Sequence, residues 1–95
     1  MKAYWIAIYK DMKNPEKIKQ YAEKASPAIK KYKGIILARG GKVETIEGNP
    51  SPRTVLIQFS TMEDALNCYN SLEYQEAMKL GNGEFNRHIQ IVEGV

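Results

Sequence analysis

Residues 3–9 read AYWIAIY, and this stretch decides the fold class. Its aromatic and β-branched residues are typical of a β-strand, in which successive side chains point to opposite faces. One face carries Tyr4, Ile6 and Ile8, and the other carries Ala3, Trp5, Ala7 and Tyr9. Because both faces are apolar, this strand is predicted to lie within a sheet that is covered on both sides.

Three further stretches are predicted to be strands. They cover 34–39, which is predicted to be a short buried strand, Arg53–Phe59 and 88–92. The stretch Arg53–Phe59 (RTVLIQF) again carries apolar side chains toward both faces. After 34–39, Gly40-Gly41 is predicted to turn the chain, residues 42–47 to continue as an extended edge segment, and residues 48–52 to form a loop because they are rich in glycine and proline.

The first of two helical regions is predicted to begin at Asn14-Pro15-Glu16. These residues combine an N-cap, a first-turn proline and an early acid. The apolar face of this helix is formed by Ile18, Tyr21, Ala22, Ala25, Ile29 and Tyr32. Gly34 marks its end. Ser26-Pro27 predicts a kink or a division into two abutting helices, since proline removes a backbone hydrogen bond.

The second helical region is predicted to begin at 60–63 (STME), which has the spacing of a capping box. Its apolar face carries Ala65, Leu66 and Tyr69. Asn70-Ser71 breaks this helix, and Ser71 can cap a new start that continues to the glycines at 81–83.

The order strand, helix, strand, strand, helix, strand is the split βαβ arrangement of ferredoxin-like domains. We therefore predict an α+β fold, a single ferredoxin-like βαββαβ domain over residues 1–95 with a four-stranded antiparallel sheet. Two helices can cover only one face of such a sheet. The other apolar face needs a partner, and because the simplest partner is a second copy of the chain, a homodimer is predicted.

The composition narrows the function classes. The chain has 95 residues, of which 43% are hydrophobic and 26% charged, as in an ordinary globular domain. Its net charge is +3, but seven of the eleven lysines lie on or beside the first helix, interleaved with Glu16 and Glu23. This pattern indicates a solvated helix face rather than a nucleic-acid surface. No apolar run approaches the roughly 18 residues of a membrane helix. Neither nucleic acid nor membrane is therefore an expected partner.

Cys68 is the only cysteine of the chain, so no intramolecular disulfide can form. A cytoplasmic location is therefore expected, because a reducing compartment suits a chain without disulfides. No nucleophile signature surrounds this residue, and a thiol packed in the core is the expected role.

Several stretches resemble a known family. They are KAYWIA at 2–7, RGGKVETIEG at 39–48, QFSTMEDA at 58–65, CYNSLEYQ at 68–75 and IVEG at 91–94. Over nearly the whole chain, this pattern resembles the domain of unknown function 1330 family, a small bacterial family within the dimeric α/β-barrel superfamily. The resemblance implies protomers that pair sheet to sheet into a dimeric α/β barrel, with a pocket between sheet and helices. It implies no particular reaction.

Arginine is scarce in this lysine-rich chain, which contains only Arg39, Arg53 and Arg87. Because its planar fork suits bidentate recognition, its placement is informative. Arg39 ends a predicted strand beside Gly40-Gly41, where a ligand can approach the backbone. Arg39 is expected either to bind a small anionic or carbonyl-bearing ligand, or to clamp Glu44, Glu47 or a loop carbonyl. Arg53 is expected at a rim or an interface.

A polar and aromatic cluster at 69–74 supplies further candidate ligand contacts. Tyr69, Asn70 and Tyr74 can line a pocket and orient a ligand. Alternatively, Asn70 only ends a helix and the tyrosines belong to the core. His88, the only histidine, is either a base in the pocket or a surface residue. One histidine does not make a metal site, so no metal and no other cofactor is expected.

These observations favour a homodimeric protein of uncharacterised function that binds a small molecule between its sheet and its helices. The alternative is a cofactor-independent monooxygenase or isomerase acting on a small polar aromatic or lactone-like substrate, by analogy with related dimeric α/β-barrel families. A structural or regulatory interaction module is a third reading, which a pocket filled by side chains favours. No catalytic residue is assigned.

Overall fold

In the computed structural model, all 95 residues are described, and they form four strands and three helices. In chain order these are β1 (Ala3–Met12), α1 (Pro15–Lys31), β2 (Ile35–Arg39), β3 (Arg53–Phe59), α2 (Met62–Asn70), α3 (Leu72–Gly81) and β4 (Phe85–Glu93). The strands form one antiparallel sheet in the order β2-β3-β1-β4. The predicted ferredoxin-like arrangement is therefore confirmed, with its second helical region divided into α2 and α3.

The helices cover one face of this sheet and build the core there. Trp5 on β1 is 1% exposed and faces the helices, which decides the orientation of this two-faced strand. Its ring stacks with Phe59 at 5.9 Å between centroids and meets Tyr74 edge-on at 5.1 Å. Cys68 of α2 is fully buried in the same cluster. The predicted core thiol is confirmed, and burial raises its pKa to about 11.

The face opposite the helices is called here the uncovered face. It carries a central apolar strip on β1 and β3 formed by Tyr4, Ile6, Ile8 and Leu56, continued by Ile35 and Val92 on the edge strands. In the single chain Ile35 is 54% exposed and Val92 47% exposed. The sequence alternation thus leaves large hydrophobic side chains at the surface on this side.

The first helix forms as one continuous element through Pro27. The predicted division into two abutting helices is therefore not observed. Asn14 caps it as predicted, because its side-chain oxygen accepts hydrogen bonds from two backbone amides of the first turn. Burial of Ala25, Ala28 and Ile29 on either side of the proline explains the continuity, since packing of this face outweighs one missing backbone bond.

The end of α1 differs from the expectation at Gly34. The left-handed residue is Lys33, with φ 65°, and the Gly34 amide donates to the Ile29 carbonyl at 2.8 Å. Glycine is needed at position 34 for a different reason, which is space. A Cβ atom there would lie 2.6 Å from Ile29 Cγ2 and 2.9 Å from Phe59 Cε1.

The predicted extended segment at 42–47 forms no strand. The register explains this, because Arg39 already pairs with Val55, and β3 begins only two residues before Val55, at Arg53. The chain beyond Arg39 therefore has almost no partner strand left to extend along. Two strands are longer than predicted: β1 continues to Met12, and β4 begins at Phe85 rather than His88. The prediction of a buried strand at 34–39 is wrong, because β2 lies at the edge of the sheet and four of its five residues are exposed.

The division between α2 and α3 confirms the prediction at Ser71. This buried residue caps α3, since its hydroxyl accepts from the Tyr74 amide at 3.1 Å and donates to the Cys68 carbonyl at 2.7 Å. Thr61 caps α2 by accepting from the Asp64 amide at 3.0 Å. The cap at Ser71 fixes the start of α3, and Tyr74 in its first turn is buried in the core.

Candidate functional site

All three arginines of the chain line one small cavity between the sheet and the helices. The wall contains six arginine and tyrosine residues, namely Arg39, Arg53, Arg87, Tyr9, Tyr21 and Tyr74, and the rest of the lining is the Trp5 ring and aliphatic side chains. The cavity volume is about 30 Å³. That is room for one or two water molecules, so only a small group fits inside it.

Arg87 of β4 lies in a shell of hydroxyl groups. Its Nη1 donates to the hydroxyls of Tyr9 at 3.0 Å and Tyr21 at 3.1 Å. Its Nη2 donates to the Tyr74 hydroxyl at 3.0 Å and contacts the Met78 sulfur at 3.2 Å. None of the salt bridges of the chain involves an arginine, so this half-buried cation is held entirely by neutral groups.

Aromatic faces complete the environment of this guanidinium. Its carbon lies 4.8 Å from the centre of the Phe85 ring and 5.5 Å from the centres of the Tyr9 and Tyr21 rings, which are cation–π distances. Burial acts to lower the pKa of Arg87, but the surrounding tyrosines outweigh it and raise the pKa above its usual value. Arg87 therefore stays cationic at any physiological pH.

Strand register places Tyr9 between two arginines. Tyr9 on β1 pairs with Arg53 on β3 and with Arg87 on β4, so the three side chains form a row on the helix-covered face. The guanidinium carbon of Arg53 lies 5.8 Å from the centre of the Tyr9 ring. Arg87 contacts the same ring from the strand on the other side of β1. Burial raises the pKa of both Tyr9 and Tyr74, so these hydroxyls remain protonated donors at neutral pH.

The hydrogen bonds of the cavity leave donors unused. Arg53 makes no side-chain hydrogen bond, and its Nε is the only buried side-chain nitrogen or oxygen of the chain without a partner. The hydroxyls of Tyr21 and Tyr74 share one hydrogen bond, which uses one of the two protons. The Tyr9 hydroxyl is an acceptor from Arg87 and has no protein acceptor for its own proton. The wall thus presents several donors and no negatively charged acceptor.

Arg39 lies at the exposed side of the cavity. Its Nη1 donates to the Ser26 hydroxyl at 2.8 Å, and this hydroxyl donates in turn to the Ala22 carbonyl at 2.9 Å. Arg39 forms no ion pair with Glu44 or Glu47, and Glu44 instead lies 3.5 Å from Lys42. Of the two roles expected from the sequence, a clamp to these carboxylates is not what the geometry presents.

The structure separates the residues that the sequence grouped as ligand contacts. Arg39 and Tyr74 line the cavity. Tyr69 packs against the rings of Trp5 and Tyr74 and is not part of the cavity wall, whereas Asn70 is exposed at the end of α2. His88 pairs with Ile8 on the uncovered face, on the opposite side of the sheet from the cavity.

Four wall residues were not among the candidates, namely Tyr9, Tyr21, Arg53 and Arg87. A signal for two of them exists in the sequence. Arg53 is in phase with Val55 and Ile57, and Arg87 is in phase with Ile89 and Ile91, so each places a charge on an otherwise apolar face of its strand. Because the last strand is predicted to begin at His88, Arg87 lies outside the predicted strand.

The sequence matches a known protein family. The model of a family described as a domain of unknown function (DUF1330) matches residues 2–95. The chain belongs to this family. The resemblance found in the sequence is therefore confirmed, while a search among curated proteins finds no match. No helix of this DUF1330 protein has the length and apolar character needed to cross a bilayer.

Solved structures share the fold at low sequence identity. A protein of unknown function from Rhodopseudomonas palustris superposes with a TM-score of 0.79 at 10% identity, covering 99% of this chain and 82% of that one. SnoaB, a cofactor-independent oxygenase from Streptomyces nogalater, gives 0.71 at 3% identity, covering 99% and 93%. A dimeric ferredoxin-like protein of unknown function from Bacteroides fragilis gives 0.58 at 14% identity, covering 98% and 96%. At these identities the likeness concerns the fold alone.

Proposed function

We propose that this DUF1330 protein is a homodimer that binds a small anion in the cavity between its sheet and its helices. The observation that carries the proposal is the meeting of all three arginines at one cavity without a single carboxylate. Like charges brought together in a partly buried site repel one another, and a bound anion offsets that repulsion.

The size of the cavity limits what enters it. About 30 Å³ accommodates a charged head group such as a carboxylate, and any larger part of the ligand lies outside. Arg39 is exposed whereas Arg53 and Arg87 are half-buried, so the open side of the cavity is the side of Arg39. This supports a ligand that enters past Arg39, with its charge directed inward toward Arg53.

Anion binding is tested by calorimetric titration of the purified protein with sodium salts of small carboxylates and with phosphate. We expect saturable binding that weakens about tenfold or more in Arg53→Gln, since a charge-assisted hydrogen bond is lost. Lys17→Gln removes the same charge from an exposed position on α1 and serves as the control. Absence of saturable binding by every anion, or equal weakening in both variants, would contradict the proposal.

The homodimer is supported by the uncovered face. A strip of large apolar side chains is open to solvent there in the single chain, and such a strip is typical of an interaction surface. A second copy brings an identical strip and covers it through a two-fold contact. The Bacteroides fragilis neighbour of the same fold is described as dimeric, which adds support.

Light scattering coupled to gel filtration tests this part of the proposal. We expect twice the protomer mass for the native protein. Leu56→Asp on the uncovered face should give monomeric or unfolded protein, because obligate dimers often lack a stable monomer. Asn67→Asp places the same charge on an exposed position of α2 and should leave the mass unchanged. A native protein of protomer mass at micromolar concentration would contradict the dimer.

The alternative function is a cofactor-independent monooxygenase or isomerase. It is supported by the fold shared with the Streptomyces nogalater oxygenase and by hydroxyl donors that could stabilise an oxyanion. However, the cavity wall contains no histidine, aspartate or glutamate to remove a proton from a substrate, and His88 lies across the sheet. Binding is therefore the function that we favour.

A further inference from the structure

The hydrogen-bond donors of the cavity that lack a protein acceptor restrict the chemistry of the ligand further than the positive charge does. Arg87 directs both terminal nitrogens toward protein acceptors, so its guanidinium has little left for a ligand. Arg53 is the opposite case, because it has no hydrogen bond in the protein and its Nε is buried. The ligand's negative group therefore belongs on Arg53, with Arg87 acting only through the tyrosines that it orients.

The placement of Arg53 leaves one edge of its guanidinium available. Its Nη1 faces Gly40, where an added Cβ would lie only 3.3 Å away. The opposite edge, formed by Nε and Nη2, is the edge that binds a carboxylate through two parallel hydrogen bonds. A carboxylate at this edge satisfies the unpartnered Nε.

A second set of hydrogen-bond donors lines the same cavity. The Tyr9 hydroxyl and one hydroxyl of the Tyr21–Tyr74 pair each keep a proton without a protein acceptor. Because the cavity holds only about 30 Å³, an oxygen that accepts these protons must lie close to the carboxylate on the same ligand. An oxygen on the carbon next to the carboxylate meets this requirement.

The wall also disfavours ligands that carry donors. It contains no carboxylate or side-chain amide to accept a hydrogen bond, and an ammonium group would lie among three guanidinium groups. An amino acid is therefore a poor ligand. A 2-hydroxy acid offers the adjacent oxygen but adds a proton for which the wall has only tyrosine oxygens.

We infer that the cavity selects small 2-oxo carboxylates, with the carboxylate on Arg53 and the 2-oxo oxygen on the tyrosine hydroxyls. This inference rests on the proposed anion binding and adds the chemical class of the ligand. Tyr9 is a specificity-determining residue in it, because its hydroxyl recognises the second oxygen while its ring supports both neighbouring arginines.

The arginine side chains themselves report the binding. With three arginines, the nitrogen-15 spectrum contains three Nε–H signals. The variants Arg39→Lys and Arg53→Lys each remove one signal, and the signal that remains in both belongs to Arg87. Titration with pyruvate should shift the Arg53 signal most and give about tenfold tighter binding than acetate, because one further hydrogen bond forms. L-Lactate should fall between the two, and L-alanine at the same concentrations should shift none of the three signals.

Two variants separate the class of ligand from anion binding in general. Tyr9→Phe keeps the ring and removes the hydroxyl, so pyruvate affinity should fall toward that of acetate while acetate affinity stays. Tyr32→Phe removes a hydroxyl outside the cavity wall and should leave the ratio unchanged. Thermal melting of each variant verifies that it folds.

The outcomes distinguish the two claims. Equal affinities for pyruvate and acetate, both weakened by Arg53→Lys, would overturn the 2-oxo class and leave anion binding in place. Binding of L-alanine as tight as that of pyruvate would also overturn it. If neither carboxylate nor phosphate binds the native protein, the proposed function itself fails together with this inference.

Discussion

The two ends of the helix-covered face of the sheet are built from the same strands but differ in chemistry. At one end, called here the dry end, Trp5 and Phe59 stack in a core that also buries Cys68. At the other, called here the polar end, Tyr9 lies between Arg53 and Arg87. Only three residues separate Trp5 from Tyr9 on β1, so an apolar core and a cationic cavity adjoin on one strand.

The difference shows how a small domain places charge inside without carboxylates. At the dry end, close packing and apolar burial supply the stability. At the polar end, burial of a guanidinium is compensated by tyrosine hydroxyls and aromatic faces, which are neutral and add no opposing charge. The cationic character of the cavity is therefore preserved for a ligand rather than cancelled by the protein.

The largest expected effect is at the dry end. Trp5→Ala should lower the free energy of unfolding by about 3–5 kcal/mol, because it empties the centre of the core. Leu66→Ala, at a position that is 46% exposed on α2, is the control and should cost far less. Urea denaturation followed by circular dichroism measures both. Similar losses in the two variants would mean that the dry end is not the main source of stability.

Alkaline pH should weaken both ends, with the dry end responding first. Burial raises the pKa of Cys68 to about 11, so the folded state holds this proton more strongly than the unfolded state does. The contribution to stability is complete below pH about 9 and is lost as the pH rises toward 11, by roughly 2–3 kcal/mol. The raised pKa values of Tyr9 and Tyr74 act in the same direction at higher pH.

Urea denaturation between pH 7 and pH 11 measures this loss of stability. The Cys68→Ala variant separates the contribution of the thiol at the dry end from that of the tyrosines. The variant should decline less steeply than the native protein from pH 9 to 10 and should retain the steeper decline above that range. Parallel curves for the two proteins would show that the thiol does not contribute.

A smaller effect should distinguish two arginines of the polar end. Arg87→Met leaves the Tyr9 hydroxyl without a donor and should lower the free energy of unfolding by about 1–2 kcal/mol. Arg53→Met removes an equal charge that has no hydrogen-bond partner in the protein, so stability should stay the same or rise. Equal losses in the two variants would contradict the assignment of Arg87 to structure and Arg53 to the ligand.

The smallest expected change in stability is at Arg39, which has one hydrogen bond to Ser26 at the exposed side of the cavity. Arg39→Lys should alter the free energy of unfolding by less than about 0.5 kcal/mol, as is usual for exposed polar contacts. Anion affinity should fall by less than in Arg53→Gln, because Arg39 lies at the exposed side of the cavity and lysine keeps its charge. A lower melting temperature with unchanged affinity would instead make Arg39 a structural residue.

Local signals predicted most of the fold. The caps at Asn14 and Ser71 and the two-faced strands are encoded within a few residues of chain, so spacing alone reveals them. The cap of α2 is Thr61, one residue after the Ser60 that the capping-box spacing indicates. The expectations that failed depend on distant partners. The segment at 42–47 forms no strand because β3 offers no further length to pair with, which no local pattern records.

The candidate site was predictable only in part. The scarcity of arginine indicates Arg39 as a candidate, and the cluster at 69–74 indicates Tyr74. Arg39 and Tyr74 both line the cavity. Tyr21 could not be recognised, because a tyrosine on the apolar face of a helix has the same pattern whether its hydroxyl meets an arginine or solvent. Its role arises from a contact with Arg87, 66 residues later in the chain.

The sequence by itself determined the element order, the helix caps and the existence of two apolar sheet faces, because these follow from periodicity and from short-range hydrogen bonding. The tertiary structure decided which face of β1 meets the helices and how the three arginines come to share one cavity. The reason is that strand register converts residues 39, 53 and 87 into neighbours, and register is set by the packing of the whole sheet.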